Sequence, residues 1–140
     1  METARGVPQE NAGVRFLDDG TVELRLGTES NGQGHATAFA QIAARQFGIP
    51  IELFQFAQAD TTLLPAGFGH GGARSMHMGG GALVKAITAS IEAGKQVAAD
   101  LLQINPNTVQ YKSGSYLSDT GASVTLAAVV ASARHSTPGQ

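Results

Sequence analysis

Two glycine-rich segments, each followed directly by an apolar stretch with helical spacing, constrain this chain more than any other feature. They are residues 27–37 (GTESNGQGHAT) and residues 67–81 (GFGHGGARSMHMGGG). Glycine lets backbone N–H groups crowd around an anion, and the start of a helix adds the positive end of its dipole. The two segments therefore predict a phosphate-bearing ligand held from two sides, a site that needs no catalytic side chain of its own.

Composition limits the classes of protein that fit. A length of 140 residues fits one domain, which buries roughly two-thirds of its unfolded-state surface. Nine Lys and Arg against eleven Asp and Glu leave no basic stripe for nucleic acid. With no cysteine, the chain supplies no disulfide, thiolate zinc site or iron–sulfur ligand, so any redox centre must come from elsewhere.

Membrane association is not expected. The apolar runs are much shorter than the roughly 20 residues of a spanning helix, and the first residues, METARGVPQENAG, lack the apolar core of a signal peptide. We therefore expect a cytoplasmic protein.

The first half of the chain predicts a βαβ-like unit. Residues 13–27 alternate apolar and polar side chains on both sides of Asp18-Asp19-Gly20, which predicts a β-hairpin. From His35 the apolar residues recur at three- and four-residue steps until Gly48 and Pro50 end a helix. Residues 51–57 (IELFQFA) then predict a buried strand beside the hairpin.

The second half predicts a loop, two helices and another hairpin. Residues 60–78 carry too much glycine for regular structure, which predicts a functional loop. The longest helix spans residues 82–104 and stops at Asn105-Pro106, a second hairpin covers residues 109–117, and Ser123 or Thr125 caps a last helix through Ala133. The predicted fold is a single α+β domain in which two β-hairpins and a βαβ-like unit pack with about three helices.

The sequence GFGHGG at residues 67–72 matches G-x-G-x-x-G, but its context differs from that of a dinucleotide-binding site. Residues 60–66 separate it from the preceding strand, and Glu92, near the expected acidic position about 20 residues on, falls within a predicted helix. No Gly-Lys-Ser/Thr is present, so a Walker-type ATP site is also disfavoured. An unrelated nucleotide-binding domain built on the glycine loops stays as an alternative hypothesis.

No catalytic or metal-ligating constellation is visible. None of the histidines stands at the spacing of a metal-binding motif. The histidines are His35, His70, His77 and His135. Arg74 and Ser75 stand where a guanidinium and a helix start can hold a phosphate together. We therefore predict a binding site with no catalytic residue and no protein-ligated metal.

Both loops resemble a known family. GTESNGQGHATAFAQIAARQFGIP resembles Gly-Thr-x-x-x-Gly-Gln-Gly-His-x-Thr of the molybdopterin-binding large subunit of the xanthine dehydrogenase and aldehyde oxidase family, the molybdenum hydroxylases. ADTTLLPAGFGHGGARSMHMGGGA is similar to that family's Gly-Asp-Thr-Asp-x-x-Pro-x-Gly-x-Gly-Thr-Gly-Gly-Ser-Arg-Ser-x-x-x-Gly-Gly-x-Ala. The resemblance runs in order from about residue 13 through residue 102.

The resemblance implies a cofactor, molybdopterin or molybdopterin cytosine dinucleotide with molybdenum, whose metal takes no ligand from this chain. It places Gln33 against the pterin and the molybdenum ligands. It also implies that the backbone of the neighbouring residues, Gly32, Gly34 and His35, approaches the cofactor closely. The residues implied to grip pterin or phosphate oxygens are Gly71, Gly72, Ala73, Arg74 and Ser75.

Three departures from the family pattern are visible. Ala73 stands where the family has Ser, His70 where it has Thr, and Ala59-Asp60-Thr61-Thr62 where it has Gly-Asp-Thr-Asp. Losing the hydroxyl at position 73 removes one hydrogen bond, a net cost of about 1 kcal/mol, and leaves the backbone donor in place. Binding is therefore expected to survive.

The resemblance further implies that the general base, a glutamate, lies beyond these motifs. A general base must reach the proton that it removes, so we expect the isolated chain to be inactive. Residues 1–135 are then a fragment of a molybdopterin-cofactor-binding domain and residues 136–140 a disordered tail. Its expected partners are the remainder of the large subunit and iron–sulfur and flavin subunits or domains, and the isolated fragment is expected to self-associate. A stand-alone, non-catalytic cofactor-binding or interaction module is the other alternative.

Overall fold

Two small three-stranded sheets and three helices make up the described part of the chain. The computed structural model describes residues 10–28, 30–57 and 75–136. The strands are β1 (Ala12–Phe16), β2 (Val22–Leu26), β3 (Phe54–Ala57), β4 (Gln110–Lys112), β5 (Ser115–Leu117) and β6 (Ser123–Thr125), and the helices are α1 (His35–Phe47), α2 (Gly80–Leu102) and α3 (Leu126–Ser136). The predicted α+β class is confirmed.

The first sheet contains the predicted βαβ unit. Strands β1 and β2 form an antiparallel hairpin, and β3 pairs with β2 in parallel. A parallel neighbour requires a crossover, which α1 supplies between β2 and β3. Val22, Leu24 and Leu26 alternate toward the core and are almost fully buried, so the inner face of β2 is the floor on which the helices pack.

Helix α1 has the predicted bounds. Its buried face is Phe39, Ala43 and Phe47, and it ends at Gly48, whose φ of 68° places the backbone in the left-handed region and whose N–H donates to Ala44 O. The strand expected from residue 51 is wrong over its first three residues. Ile51–Leu53 is a 3₁₀ turn that follows Pro50, and β3 begins at Phe54.

Helix α2 begins and ends differently from the prediction. It is preceded by a single π-helical turn, Ser75–Gly79, so the expected irregular loop is wrong for residues 75–78. It ends at Leu102 because Gln103 adopts the left-handed region, with its N–H donating to Ala99 O and Asp100 O. Asn105-Pro106 lies beyond this end and opens a short 3₁₀ turn.

The second sheet extends the predicted second hairpin by one strand. Strands β4 and β5 pair across Ser113-Gly114, whose φ values are both positive, as in the tight turns that join twisted strands. Strand β6 was not predicted and pairs antiparallel with β5. Thr125 caps α3 through its Oγ1, which accepts from Ala128 N at 3.2 Å, whereas Ser123 lies in β6 and is not the cap.

Two tyrosines join this second sheet to the helices. The Tyr111 hydroxyl donates to Phe47 O at 2.7 Å, and the Tyr116 hydroxyl donates to Ile91 O at 3.1 Å. Burial, with a smaller contribution from the negative charge of Glu92, raises the pKa of Tyr116 to about 12. Burial also raises the pKa of Tyr111 well above its usual range, and the neighbouring Tyr116 adds to the shift.

Some predictions fall outside the described residues. These are residues 60–74 of the predicted functional loop and residues 137–140 of the predicted tail. Within the described ranges, none of the helices combines the length and apolar character that crossing a membrane requires.

Candidate functional site

The candidate site lies where the end of β2, the start of α1 and the start of α2 meet. Of the nine predicted site residues, the structure describes Gly32, Gln33, Gly34, His35 and Ser75. The other four, Gly71, Gly72, Ala73 and Arg74, lie outside the described residues. The geometry of the site is therefore built from the first loop and from the end of the second.

The first loop presents exposed backbone in the left-handed region. Gly32 and Gly34 have φ values of 101° and 78°, a conformation that favours glycine. A Cβ built on either residue would meet no atom of residues 10–28, 30–57 and 75–136 within 4 Å, so these described parts of the chain leave space in front of the backbone. Among the described residues, no side chain caps the adjoining N-terminus of α1, whose partial positive charge is directed at the same space.

Gln33 and His35 point in different directions from this loop. Gln33 is exposed, and its Oε1 accepts a hydrogen bond from Asn31 N. His35 is only 9% exposed, and its ring centroid lies 5.6 Å from that of Phe39. Gln33 is thus exposed at the surface of the loop, whereas the His35 ring packs against Phe39.

The second loop meets the first through a buried pair of hydroxyl groups. Ser75 Oγ lies 2.5 Å from Thr28 Oγ1, and the two residues are 4% and 1% exposed. The π-helical turn that starts at Ser75 ends at Gly79, where a Cβ would lie 3.3 Å from Thr28 Cγ2. The start of α2 is therefore packed against the end of β2 and against α1, where a Cβ on Gly79 would lie 3.5 Å from Phe39 Cζ.

Thr28 is the site residue that sequence reasoning missed. It belongs to the quoted first segment, but no role was predicted for it. The signal that identifies it is the alternation of Val22, Leu24 and Leu26, which places the next residue of that series on the buried face.

The described part of the site presents groups suited to ligand binding. Within residues 10–28, 30–57 and 75–136, His, Asp and Glu form no group that can hold a metal ion. What the site offers is exposed glycine backbone, an uncapped helix start and the Gln33 amide. These groups recognise oxygen- and nitrogen-rich ligands.

Two apolar clefts lie elsewhere in the molecule. One, of about 470 Å³, is bounded by the β1–β2 turn, the β4–β5 turn and α3. The other, of about 660 Å³, is bounded by β1, α2 and α3. No predicted site residue lines either of these two clefts.

Comparison with known families finds one match over nearly the whole chain. The family model of the molybdopterin cofactor-binding domain matches residues 1–139. The matched range includes all nine predicted site residues.

Individual relatives agree with this match. The chain is 35% identical over 99 residues to the carbon monoxide dehydrogenase large chain of Hydrogenophaga pseudoflava, covering 71% of this chain and 12% of that protein. It is 35% identical over 107 residues to the 6-hydroxypseudooxynicotine dehydrogenase complex subunit gamma of Paenarthrobacter nicotinovorans, covering 76% and 14%. The crystal structure of quinoline 2-oxidoreductase from Pseudomonas putida 86 superposes with a TM-score of 0.78 at 29% identity, covering 93% of this chain and 17% of that chain.

Proposed function

Because the chain belongs to the molybdopterin cofactor-binding domain family, we propose that its two glycine loops hold the pterin cofactor of a molybdenum hydroxylase. The first loop fits such a group, since Gly32 and Gly34 expose left-handed backbone with open space in front of it. A planar pterin with many hydrogen-bonding atoms can approach glycine backbone more closely than it can approach any other residue. When bound, the cofactor supplies molybdenum redox chemistry, for which the chain contributes binding and orientation.

The observation that carries this proposal is the contact between the two loops. The loops are separated by a helix and a strand, yet Thr28 Oγ1 and Ser75 Oγ form a buried hydrogen bond. A ligand bound at the start of α1 would therefore also be near the start of α2. Two helix starts on one side of the molecule match the two-sided ligand site expected from the glycine pattern.

The proposed roles follow the sequence prediction. Gln33 lies against the pterin and the molybdenum ligands, and Gly32, Gly34 and His35 provide backbone contact. A second group of residues is proposed to bind the pterin or phosphate oxygens of molybdopterin or molybdopterin cytosine dinucleotide. This group is Gly71, Gly72, Ala73, Arg74 and Ser75.

The proposal for the whole protein rests on its relatives. The chain spans only 12% and 14% of the length of the two relatives described above. We therefore propose that it functions with the remainder of a large subunit and with iron–sulfur and flavin partners, in the cytoplasm. The proposed reaction is hydroxylation of an aldehyde or N-heterocycle with oxygen from water, and the isolated 140 residues are proposed to be inactive.

Replacement of Gln33 in the intact native protein tests the proposal. Gln33→Ala is expected to lower turnover of every accepted substrate by about ten-fold or more, because it removes an amide that orients the cofactor. Gln41→Ala, on an exposed position of α1, is the matched control and should leave turnover unchanged. Turnover and pterin content at wild-type levels in Gln33→Ala would contradict the role of Gln33.

Two further measurements separate the alternatives. Molybdenum and pterin analysis of the native protein tests the cofactor itself, and heat or stabilisation on titration with ATP or NAD would instead support the nucleotide-binding hypothesis. An immunoblot of source cells with an antibody against this chain gives the native size. A band several times larger than 14.4 kDa supports a large subunit, whereas a band at that size supports a stand-alone module.

A further inference from the structure

The buried hydroxyl pair has a role beyond packing. We infer that Thr28 and Ser75 are positioning residues whose hydrogen bond holds the second loop in register with the first. This inference rests on the proposed function, since the feature being positioned is the pair of cofactor-binding loops. It also changes the expected role of Ser75, which would act through Thr28 and not through a hydroxyl contact to the cofactor.

Because the hydroxyl groups of Thr28 and Ser75 are both buried, their hydrogen bond favours one arrangement of the two loops. Thr28 is 1% exposed and Ser75 is 4% exposed, so water cannot readily replace either partner. A buried hydroxyl that loses its hydrogen bond pays a desolvation cost. Any arrangement that separates the loops at this point would expose or strand two hydroxyl groups, which disfavours it.

Thr28 contacts both ends of the π-helical turn. Its hydroxyl bonds to Ser75, where the turn begins, and its methyl group packs beside Gly79, where the turn ends. Helix α2 follows immediately at Gly80. Single π-helical turns occur frequently at functional sites, and here one side chain determines where the turn lies.

The position of Thr28 is itself fixed by the core. The preceding inward residues of β2, Leu24 and Leu26, are 0% and 1% exposed. Strand β2 is also the centre of its sheet, with β1 on one side and β3 on the other. The hydroxyl pair therefore connects the second loop to a rigid strand that also leads into the first loop.

Four variants of the intact native protein test this inference. Thr28→Val removes the hydroxyl and keeps the shape, Thr28→Ser keeps the hydroxyl, Ser75→Ala removes the other partner, and a double variant combines Thr28→Val with Ser75→Ala. Thr120→Val is the matched control, because Thr120 Oγ1 pairs with Ser118 Oγ at 2.9 Å in the turn before β6. The readouts are the thermal midpoint and the rate at which molybdopterin leaves the protein.

We expect Thr28→Val to lower the thermal midpoint and to accelerate pterin loss about ten-fold, the change expected for one buried hydrogen bond. Thr28→Ser and Thr120→Val should release pterin at the wild-type rate. The double variant leaves no stranded hydroxyl, so its thermal midpoint should recover. Its pterin loss should stay fast because the loops are no longer held together.

The double variant distinguishes positioning from stability alone. If it regains both the thermal midpoint and the wild-type rate of pterin loss, or if Thr28→Val releases pterin at the wild-type rate, the inference is overturned and the proposed function stands. A native protein that contains no molybdopterin would overturn the proposed function instead. If Thr28→Val does not fold, the double variant alone decides the question.

Discussion

Glycines serve opposite purposes at the two ends of the helical layer. At the site end, formed by the first loop and the start of α2, a Cβ on Gly32, Gly34 or Gly81 would meet no atom of the described residues within 4 Å. At the packed end, where the second sheet meets α1 and α2, a Cβ on Gly48 would lie 2.5 Å from Ser113 Cα. The glycines at the site end leave space for a ligand to approach the backbone. At the packed end, the lack of a side chain on Gly48 allows its backbone to contact the second sheet.

The packed end has a second close contact of this kind. A Cβ on Gly94, in α2, would lie 2.0 Å from the hydroxyl oxygen of Tyr116, a residue that is fully buried. Glycine content alone therefore does not locate a binding site. Open space alone does not locate one either, because a Cβ on Gly20 or Gly121, in turns away from the site, also meets no described atom within 4 Å. Substitutions at the two ends should nevertheless have different consequences.

The largest expected effect is that of Gly48→Ala at the packed end. The added methyl group would overlap the backbone of Ser113 and Gly114, and φ is 68°, so we expect a loss of about 3 kcal/mol or more in the free energy of unfolding. Urea denaturation measures it. Gly20→Ala is the control, because φ is 85° there with no atom within 4 Å of the Cβ. Equal losses in the two variants would show that Gly48 and Ser113 are not in contact.

Alkaline pH should also act on the packed end, because both tyrosines of the chain lie there. Burial raises the pKa of Tyr116 to about 12 and that of Tyr111 as well, whereas tyrosine in an unfolded chain titrates near about 10. The folded state then retains protons that the unfolded state has lost, so stability is full below about pH 10 and falls as pH rises toward 12.

Urea denaturation at several pH values, combined with tyrosinate absorbance, measures this loss. Tyr111→Phe should make the decline shallower, since one of the two shifted groups is removed. Tyrosinate absorbance that appears near pH 10 while the chain stays folded would contradict the burial of the pair.

Gly34→Ala at the site end should separate stability from binding. The variant places a side chain at φ 78° without a clash with any atom in the described part of the chain, so the expected loss of stability is about 1 kcal/mol, similar to that of Gly20→Ala. Pterin content of the intact protein should fall only in Gly34→Ala, because its methyl group enters the space where the cofactor is proposed to approach. Equal pterin content in both variants would remove Gly34 from the site.

The elements that sequence predicted well are those set by local pattern. The β1–β2 hairpin follows from alternation around Asp19-Gly20, and α1 follows from helical spacing between Gly34 and Gly48. The errors arise where distant parts of the chain decide the structure. Strand β6 exists because β5 offers it an edge, a partner that its own three residues do not reveal.

The candidate site shows the same division. The first glycine loop and the start of α1 were predicted from sequence, since glycine and helix periodicity are local signals. The bond between Thr28 and Ser75 joins residues 47 positions apart, and no local pattern pairs two hydroxyl residues over that distance. The sequence thus identified the first loop, and the structure supplied the contact between its Thr28 and Ser75.

The smallest expected effect has the opposite sign, and it comes from Gly81→Ala. Gly81 is exposed in the first turn of α2, has no positive φ, and its Cβ would meet no atom within 4 Å. Alanine there restricts the unfolded chain and favours the helix, so we expect a gain of about 0.5–1 kcal/mol in the free energy of unfolding.

Gly79→Ala, two residues earlier, is the contrast. Its Cβ would lie 3.3 Å from Thr28 Cγ2 and 3.4 Å from Leu26 Cδ2, so this variant should destabilise the chain. Urea denaturation of both variants gives the two signs, and a loss of stability in Gly81→Ala would mean that the site end is packed as closely as the other end.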